Sequence, residues 1–190
     1  MIDSDELRQI RMEMEDFEEK RESLIIDSRN IIHLSKQIIH LCQRGRSKDA
    51  EVLVEEIKAK VASMPEEDFD TGIAGVALQE FVEAIAFFEF IKSGRLITKG
   101  ELREFGVENS NYLLGVCDFT GELVRYAVNQ AVNKNFEESL RVKEFVAEIY
   151  GEFLKMKFRN GELRKKFDSI RWNLKKLEDL AFNISMQNRA

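Results

Sequence analysis

Residues 77–91 read Ala-Leu-Gln-Glu-Phe-Val-Glu-Ala-Ile-Ala-Phe-Phe-Glu-Phe-Ile. Their apolar residues recur at the three- and four-residue spacing of an α-helical face, and similar spacing continues along most of the chain. One proline and ten glycines among 190 residues are too few turn formers for a many-stranded β fold. The pattern therefore predicts an all-α protein, an antiparallel bundle of six to seven helices forming a single domain over residues 1–190.

Capping residues and breaks place the predicted helices. They cover about 3–43, 47–61, 70–91, a short helix opened by the Thr98 and Glu101 capping box, 109–132, 136–158 and 162–186. A first helix of that length would span roughly 60 Å, which exceeds the width of a small domain. We therefore expect part of it to pack against another subunit.

Composition excludes several classes of protein. No apolar run approaches the length of a membrane span, and the N-terminus lacks the features of a secretory signal. Two cysteines cannot build a disulfide framework, so the sequence predicts a cytoplasmic protein that avoids membranes. The net charge is −6, with an acidic middle and a basic C-terminal third, so an anionic partner would have to use local basic patches.

Two glutamates interrupt the apolar helix of the opening stretch. Glu80 and Glu83 share a stripe with apolar neighbours that include Ala84 and Phe87. Two close carboxylates in apolar surroundings are costly unless a cation or a proton compensates them. The stripe therefore indicates a metal or acid–base site, or else two acids that reach solvent or pair with Lys or Arg across the bundle.

A second acidic pair lies farther along the chain. Asp118 and Glu122 are one helical turn apart, Arg125 follows on the same side, and Gly115 and Gly121 flank the acids. Small residues at these positions allow another helix or a ligand to approach closely. The alternative interpretation is a surface acid pair with an arginine partner.

The types of metal ligand that the sequence offers limit which ions and reactions the site could support. No histidine accompanies the four acids, and an all-oxygen set suits Mg²⁺ or Mn²⁺ rather than Zn²⁺ or Cu²⁺. Sites for such hard cations commonly activate water against phosphodiesters. Metal-assisted phosphodiester hydrolysis is therefore the chemistry that the residues favour.

The motifs resemble those of the translin/TRAX superfamily and, within it, the TRAX branch. The resemblance covers nearly the whole chain and is carried by four segments: residues 78–97, residues 114–125, the first helix around 19–36 and the last helix around 163–180. It implies an all-helical protomer that forms a hollow octamer, here a homo-octamer. It also implies a Mg²⁺-dependent endoribonuclease site that acts on single-stranded or loosely paired RNA.

The resemblance also assigns residues. It implies that Glu80, Glu83 and Asp118 bind Mg²⁺, for which Mn²⁺ can substitute, and that Glu122 is a further ligand or the base for the attacking water. Candidates for phosphate contact are Lys20, Arg21, Arg29, Lys36 and Arg125, since basic side chains must offset the acidic middle. Two rival hypotheses are a non-catalytic, translin-like single-strand binder and a purely structural bundle.

Overall fold

A computed structural model describes residues 3–65 and 67–187. All regular structure in these two ranges is helical, as predicted. The α-helices are α1 (Ser4–Gln43), α2 (Ser47–Ala62), α3 (Ile73–Ser93), α4 (Asn109–Val132), α5 (Phe136–Leu154) and α6 (Glu162–Gln187), and a 3₁₀ helix covers Lys99–Phe105. The prediction of a single domain stays a prediction.

Local capping explains most helix boundaries. The Asp3 side chain accepts hydrogen bonds from the backbone N–H groups of Asp5 and Glu6 and so begins α1. Thr98 and Glu101 form the predicted reciprocal capping box at the 3₁₀ helix. The second helix begins at Ser47 as predicted, but Arg46 occupies the capping position and makes no side-chain cap.

Two predicted boundaries were wrong by a few residues. Helix α3 begins at Ile73 rather than at residue 70, because Phe69, Asp70 and Gly72 have positive φ angles of 48°, 55° and 66° that a right-handed helix cannot contain. Helix α5 ends at Leu154 rather than at residue 158. The chain then turns back, and the Phe158 ring packs 5.2 Å from that of Phe167 on α6.

Consecutive helices are mostly antiparallel, but α3 and α4 run in the same direction. Near their beginnings, the Asn111 amide donates to the carbonyl of Gly75 over 3.1 Å. Towards their ends, the rings of Phe90 and Tyr126 lie 6.3 Å apart. The connection through the 3₁₀ helix therefore carries the chain back to the beginning of α3 before α4 starts.

The helices form two layers. One layer has the order α1, α3, α4, α6, with neighbours in contact. Helix α6 runs parallel to α4, since Lys166 and Asn173 contact Asp118 and Thr120 in the same order. Helix α1 runs as α3 does, since a short connection reverses the chain into α2. Helix α2 packs on α1 and α3 and runs the opposite way, since Glu51 near its beginning pairs with Lys92 at the end of α3 at 2.7 Å. Helix α5 packs on α4 and α6, also reversed, since Ser139 near its beginning donates to the carbonyl of Ala127 late in α4.

The core lies between the two layers and is rich in aromatic rings. Phe87 and Phe90 from α3 meet Phe119 from α4 with ring centroids 6.3 and 6.1 Å apart, and Phe145 from α5 contacts Phe90 at 4.8 Å. These rings are buried or nearly so, and each buried aromatic removes a large apolar area from water. Among the described residues, no helix is both long and apolar enough to cross a membrane.

Helices α3 and α4 approach each other closely at Gly115. A Cβ atom at this position would lie 2.6 Å from the Cβ of Val82 and 2.7 Å from the backbone oxygen of Gln79. Backbone atoms cannot move aside as a flexible side chain can, so only glycine fits between the helices here.

We expect Gly115→Ala to destabilise the protein by about 2 kcal/mol, because the added methyl group forces α3 and α4 apart. Gly151→Ala on α5 is the matched control, since its added Cβ meets no atom within 4 Å. The control should raise stability by up to about 1 kcal/mol through helix propensity. Urea unfolding of both variants measures the difference, and equal stabilities would contradict the close contact.

A candidate carboxylate site between α3 and α4

The parallel contact of α3 and α4 brings the four predicted acids together. Glu80 and Glu83 lie one turn apart on α3, and Asp118 and Glu122 lie one turn apart on α4. All four side chains are partly buried, and Gln79, next to Glu80 on α3, donates a hydrogen bond to Asp118 on α4. Burial raises the pKa of Glu83, and the charges of the other three acids add to the rise. The pairing of the two acidic motifs, which the sequence alone left open, is therefore present in the fold.

Asp118 has two partners from neighbouring helices. Lys166 on α6 donates from Nζ to Asp118 Oδ1 at 2.6 Å, and the Gln79 amide on α3 donates to Oδ2. Burial by itself lowers the pKa of Lys166, but the hydrogen bond and charge of Asp118 outweigh it and leave that pKa above its usual value. Asp118 therefore has the lysine partner across the bundle that was considered for Glu80 and Glu83.

Glu122 is fixed by the end of α1. Gln43 donates from Nε2 to the Glu122 carboxylate at 2.9 Å and to the Glu122 backbone oxygen at 3.0 Å. Arg125, one turn along α4, lies 3.7 Å from the same carboxylate. One acid of the site is therefore held by an amide and approached by a guanidinium group.

Glu83 is the most perturbed acid. Burial raises its pKa from 4.5 to about 8, the charges of Asp118, Glu80 and Glu122 add to the rise, and Lys166 opposes it. Burial also raises the pKa of Glu80, where Lys36 of α1 is the main opposing charge. The local excess of negative charge thus favours binding of a proton or a cation.

The donor set can be tested against the metal that the sequence implied. Within residues 3–65 and 67–187, no three histidine, cysteine or acidic side chains converge closely enough to hold a metal ion as they are oriented. The donors are nevertheless all carboxylate oxygens that repel one another, which is the chemistry that suits a hard divalent cation. The donors fit Mg²⁺ or Mn²⁺ in kind, while Asp118 and Glu122 are turned to Lys166, Gln79 and Gln43.

A polar cavity adjoins the acids at the Glu122 end. It has a volume of about 570 Å³, and its walls include His40, Gln43 and Arg44 from α1 and its end, and Arg125 and Asn129 from α4. No acidic residue lines it. Guanidinium and amide donors suit phosphate and base edges of a nucleic acid, so the cavity offers room for an anionic chain beside the carboxylates.

The predicted phosphate contacts fall into two groups. Lys36 and Arg125 lie near the acids, as their effects on Glu80 and Glu122 indicate. Lys20 and Arg21 pair with Asp16 and Glu18 of the same helix.

Arg29 is exposed on α1, two helical turns before Lys36. At 1.5 Å per residue, Lys20 lies roughly 24 Å along the axis from Lys36. All five RNA contacts, like the roles of the four acids, stay predictions.

Three residues that contact the acids were not predicted from the sequence: Lys166, Gln79 and Gln43. Lys166 belongs to a run of basic residues, 164–166, whose usual interpretation is a solvated helix face. A detectable signal was present, because Leu163, Lys166, Ile170, Asn173 and Leu177 follow the spacing of one helix face. A lysine on an otherwise mostly apolar face indicates a buried acidic partner.

Comparison with known proteins identifies the family. A model of the translin family matches residues 19–188. The chain belongs to the translin family. The predicted resemblance is therefore confirmed.

The relatives include both branches of the superfamily. Translin-associated protein X (TRAX) from Pongo abelii is 25% identical over 225 aligned residues, which cover 95% of this chain and 77% of that protein. Translin from Gallus gallus is 26% identical over 121 residues, 58% of this chain. That match spans only about half, 53%, of the translin.

Solved translin-like structures share the fold. The crystal structure of apo-NeC3PO has a TM-score of 0.87 at 27% identity, covering 96% of this chain and 97% of the other. The AfC3PO–duplex RNA complex has a TM-score of 0.82 at 28% identity, with the same coverage. The predicted translin-like, all-α fold is confirmed.

We expect Glu83→Gln to stabilise the metal-free protein increasingly as the pH rises. The unfolded chain releases the Glu83 proton near pH 4.5 and the folded chain near pH 8, so wild-type stability falls between these values by about 1.4 kcal/mol per pH unit. The variant lacks this loss and should gain up to about 3 kcal/mol over wild type by pH 7.

Urea unfolding in EDTA from pH 5 to 9 measures this gain. Glu56→Gln on α2 is the control, since Glu56 is exposed and lies outside the site. A difference between wild type and Glu83→Gln that stays constant with pH would contradict the raised pKa.

Proposed function

We propose that this chain is the subunit of a Mg²⁺-dependent endoribonuclease that cleaves single-stranded or loosely paired RNA. The observation that carries the proposal is the packing of the acidic turn of α3 (Glu80, Glu83) beside that of α4 (Asp118, Glu122) in a translin-family chain, with Gln79 of α3 bonded to Asp118 of α4. Such a cluster strains a metal-free protein, and metal-dependent catalysis gives a reason for retaining it.

In this proposal the four acids have two roles, metal binding and acceptance of a proton. Glu80, Glu83 and Asp118 would hold the cation, which would supply Lewis-acid chemistry for the activation of water and for the charge that develops on the phosphate. Glu122 accepts the proton of the attacking water or is a further ligand. Its orientation is fixed by the 2.9 Å hydrogen bond from Gln43.

Basic side chains at both sides of the acids bind the RNA backbone. Arg125 and Arg44 line the polar cavity beside Glu122, and Lys36 faces Glu80 from α1. In an acidic protein these residues supply the local positive charge that phosphates require. The translin-like AfC3PO, solved in complex with duplex RNA, supports RNA as the ligand.

The proposal includes a homo-oligomer larger than a dimer, with an octamer expected. The first half of α1 supports it, because residues 4–16 are all exposed and the helix buries no residue before Leu24. Leu7 and Met14 are one apolar face of this half, 55% and 65% exposed. An apolar face of this kind is stabilised by a second copy of the chain.

RNA cleavage by Glu83→Gln in Mg²⁺ tests the catalytic role of this acid. We expect cleavage of a labelled single-stranded oligoribonucleotide to fall about 100-fold or more, because the variant loses one of the charges that hold the cation. RNA affinity should fall far less than cleavage, and assembly should change little. Glu56→Gln should cleave as wild type does, and EDTA should abolish cleavage by both proteins.

Other outcomes would reject parts of the proposal. RNA binding without metal-dependent cleavage by the wild type would favour the non-catalytic, translin-like single-strand binder. A large fall in melting temperature with cleavage retained would make Glu83 a structural acid. Cleavage of a fully paired duplex as rapid as that of a single strand would overturn the proposed substrate class.

We expect the exposed apolar face of α1 to be a contact between subunits. Light scattering of the wild type at micromolar concentration should give a mass above that of a dimer. Met14→Glu should lower that mass, because it places a charge in an apolar contact between subunits. Its control is Glu13→Gln, a neighbouring exposed change that should leave the mass unaltered. A monomeric wild type would refute the proposed oligomer.

A further inference from the structure

Lys166 makes the shortest contact between a described basic side chain and the four acids. Among the described residues, two basic side chains lie within ion-pair distance of the four acids: Lys166 at 2.6 Å from Asp118 and Arg125 at 3.7 Å from Glu122. Lys166 comes from α6, 48 residues away from Asp118 in the chain. Its contact is the shorter one and lies on the acid that the proposed function assigns to the metal.

The two oxygens of Asp118 are already engaged. Lys166 holds Oδ1 and Gln79 holds Oδ2. An ammonium group and a divalent cation repel each other, so they cannot both bind Oδ1 at close range without a large electrostatic cost. A cation that binds Asp118 through Oδ1 therefore displaces Lys166.

The surroundings allow Lys166 to move while α6 stays in place. Asn173, two turns farther along α6, donates to Thr120 Oγ1 at 3.0 Å and ties α6 to α4 independently of the lysine. Phe167 and Ile170 are buried and anchor the same stretch of α6 in the core. Lys166 itself has a flexible four-carbon stem, and its side chain is 33% exposed, so its ammonium group can reach solvent.

We propose that Lys166 is an exchange residue: it occupies Asp118 in the metal-free protein and turns to a phosphate of the RNA when a divalent cation takes its place. The inference rests on the proposed function and adds a residue to it. A single side chain then links the two binding events, because metal binding frees the ammonium group that phosphate binding uses. The same exchange limits the repulsion among the acids while the metal is absent.

Metal affinity is the first measurement, made on the full-length protein without RNA. We expect Lys166→Met to bind Mn²⁺ about 10-fold more tightly than wild type by calorimetry, because a competing cation is gone. Lys165→Met is the matched control, with the same loss of charge at an exposed neighbouring position, and should change the affinity less than twofold. Unchanged or weaker Mn²⁺ binding by Lys166→Met would overturn the exchange.

RNA affinity is the second measurement, with a 2′-O-methyl single-stranded oligoribonucleotide that resists cleavage. In Mn²⁺ we expect Lys166→Met to weaken binding about 5-fold and to reduce the salt dependence by about 0.7 in log–log slope. In EDTA the variant should lose less affinity than in Mn²⁺, since there Lys166 is engaged by Asp118 and only its screened long-range charge is lost. Lys166→Arg should retain most of the affinity in Mn²⁺. An equal loss in Mn²⁺ and EDTA would overturn the proposal.

A structural role predicts a different result. If Lys166 only stabilises the bundle, Lys166→Met lowers the melting temperature in EDTA and leaves Mn²⁺ affinity unchanged, which refutes the exchange. The proposed nuclease survives that outcome as long as Glu83→Gln still loses cleavage. Failure of the wild type to bind Mn²⁺ at all would refute both.

Discussion

The close, parallel packing of α3 on α4 is the constraint on which the site depends. Only glycine fits at position 115, where a Cβ would lie 2.6 Å from Val82. This approach places Glu80 and Glu83 beside Asp118 and Glu122 and concentrates negative charge at the contact. The outer helices of the layer compensate part of that charge, with Lys36 from α1 and Lys166 from α6. All four helices that run in one direction thus contribute to one site.

The helices were predictable because the signals that define them are local. The Thr98–Glu101 capping box and the bounds of α4 follow from residues within a few positions of each other. The beginning of α3 was misplaced because positive φ angles at Phe69 and Asp70 cannot be seen in residue types alone. The parallel direction of α3 and α4 is set by long-range packing, and helical periodicity carries no information about direction.

The acids of the candidate site could be predicted for a similar reason, but their lysine and glutamine partners could not. Acids on an apolar stripe are anomalous within one helix, so Glu80 and Glu83 could be identified from their neighbours. Lys166 stands out only when the mostly apolar face of α6 is considered. In the linear sequence it is one of three consecutive basic residues, which usually indicate a solvated surface. The meeting of the two acidic motifs depends on the fold, and the resemblance to TRAX supplied it before the structure did.

The direction of α3 and α4 also bears on how the chain folds. The helical hairpins of α1 with α2 and of α4 with α5 close over a few connecting residues, whereas contacts of Asp118 with Gln79 and Lys166 close loops of 39 and 48 residues. Contacts between distant parts of a chain cost more entropy and tend to form later in folding. Any repulsion among the acids that arises only once these contacts form raises the unfolding rate more than it slows folding.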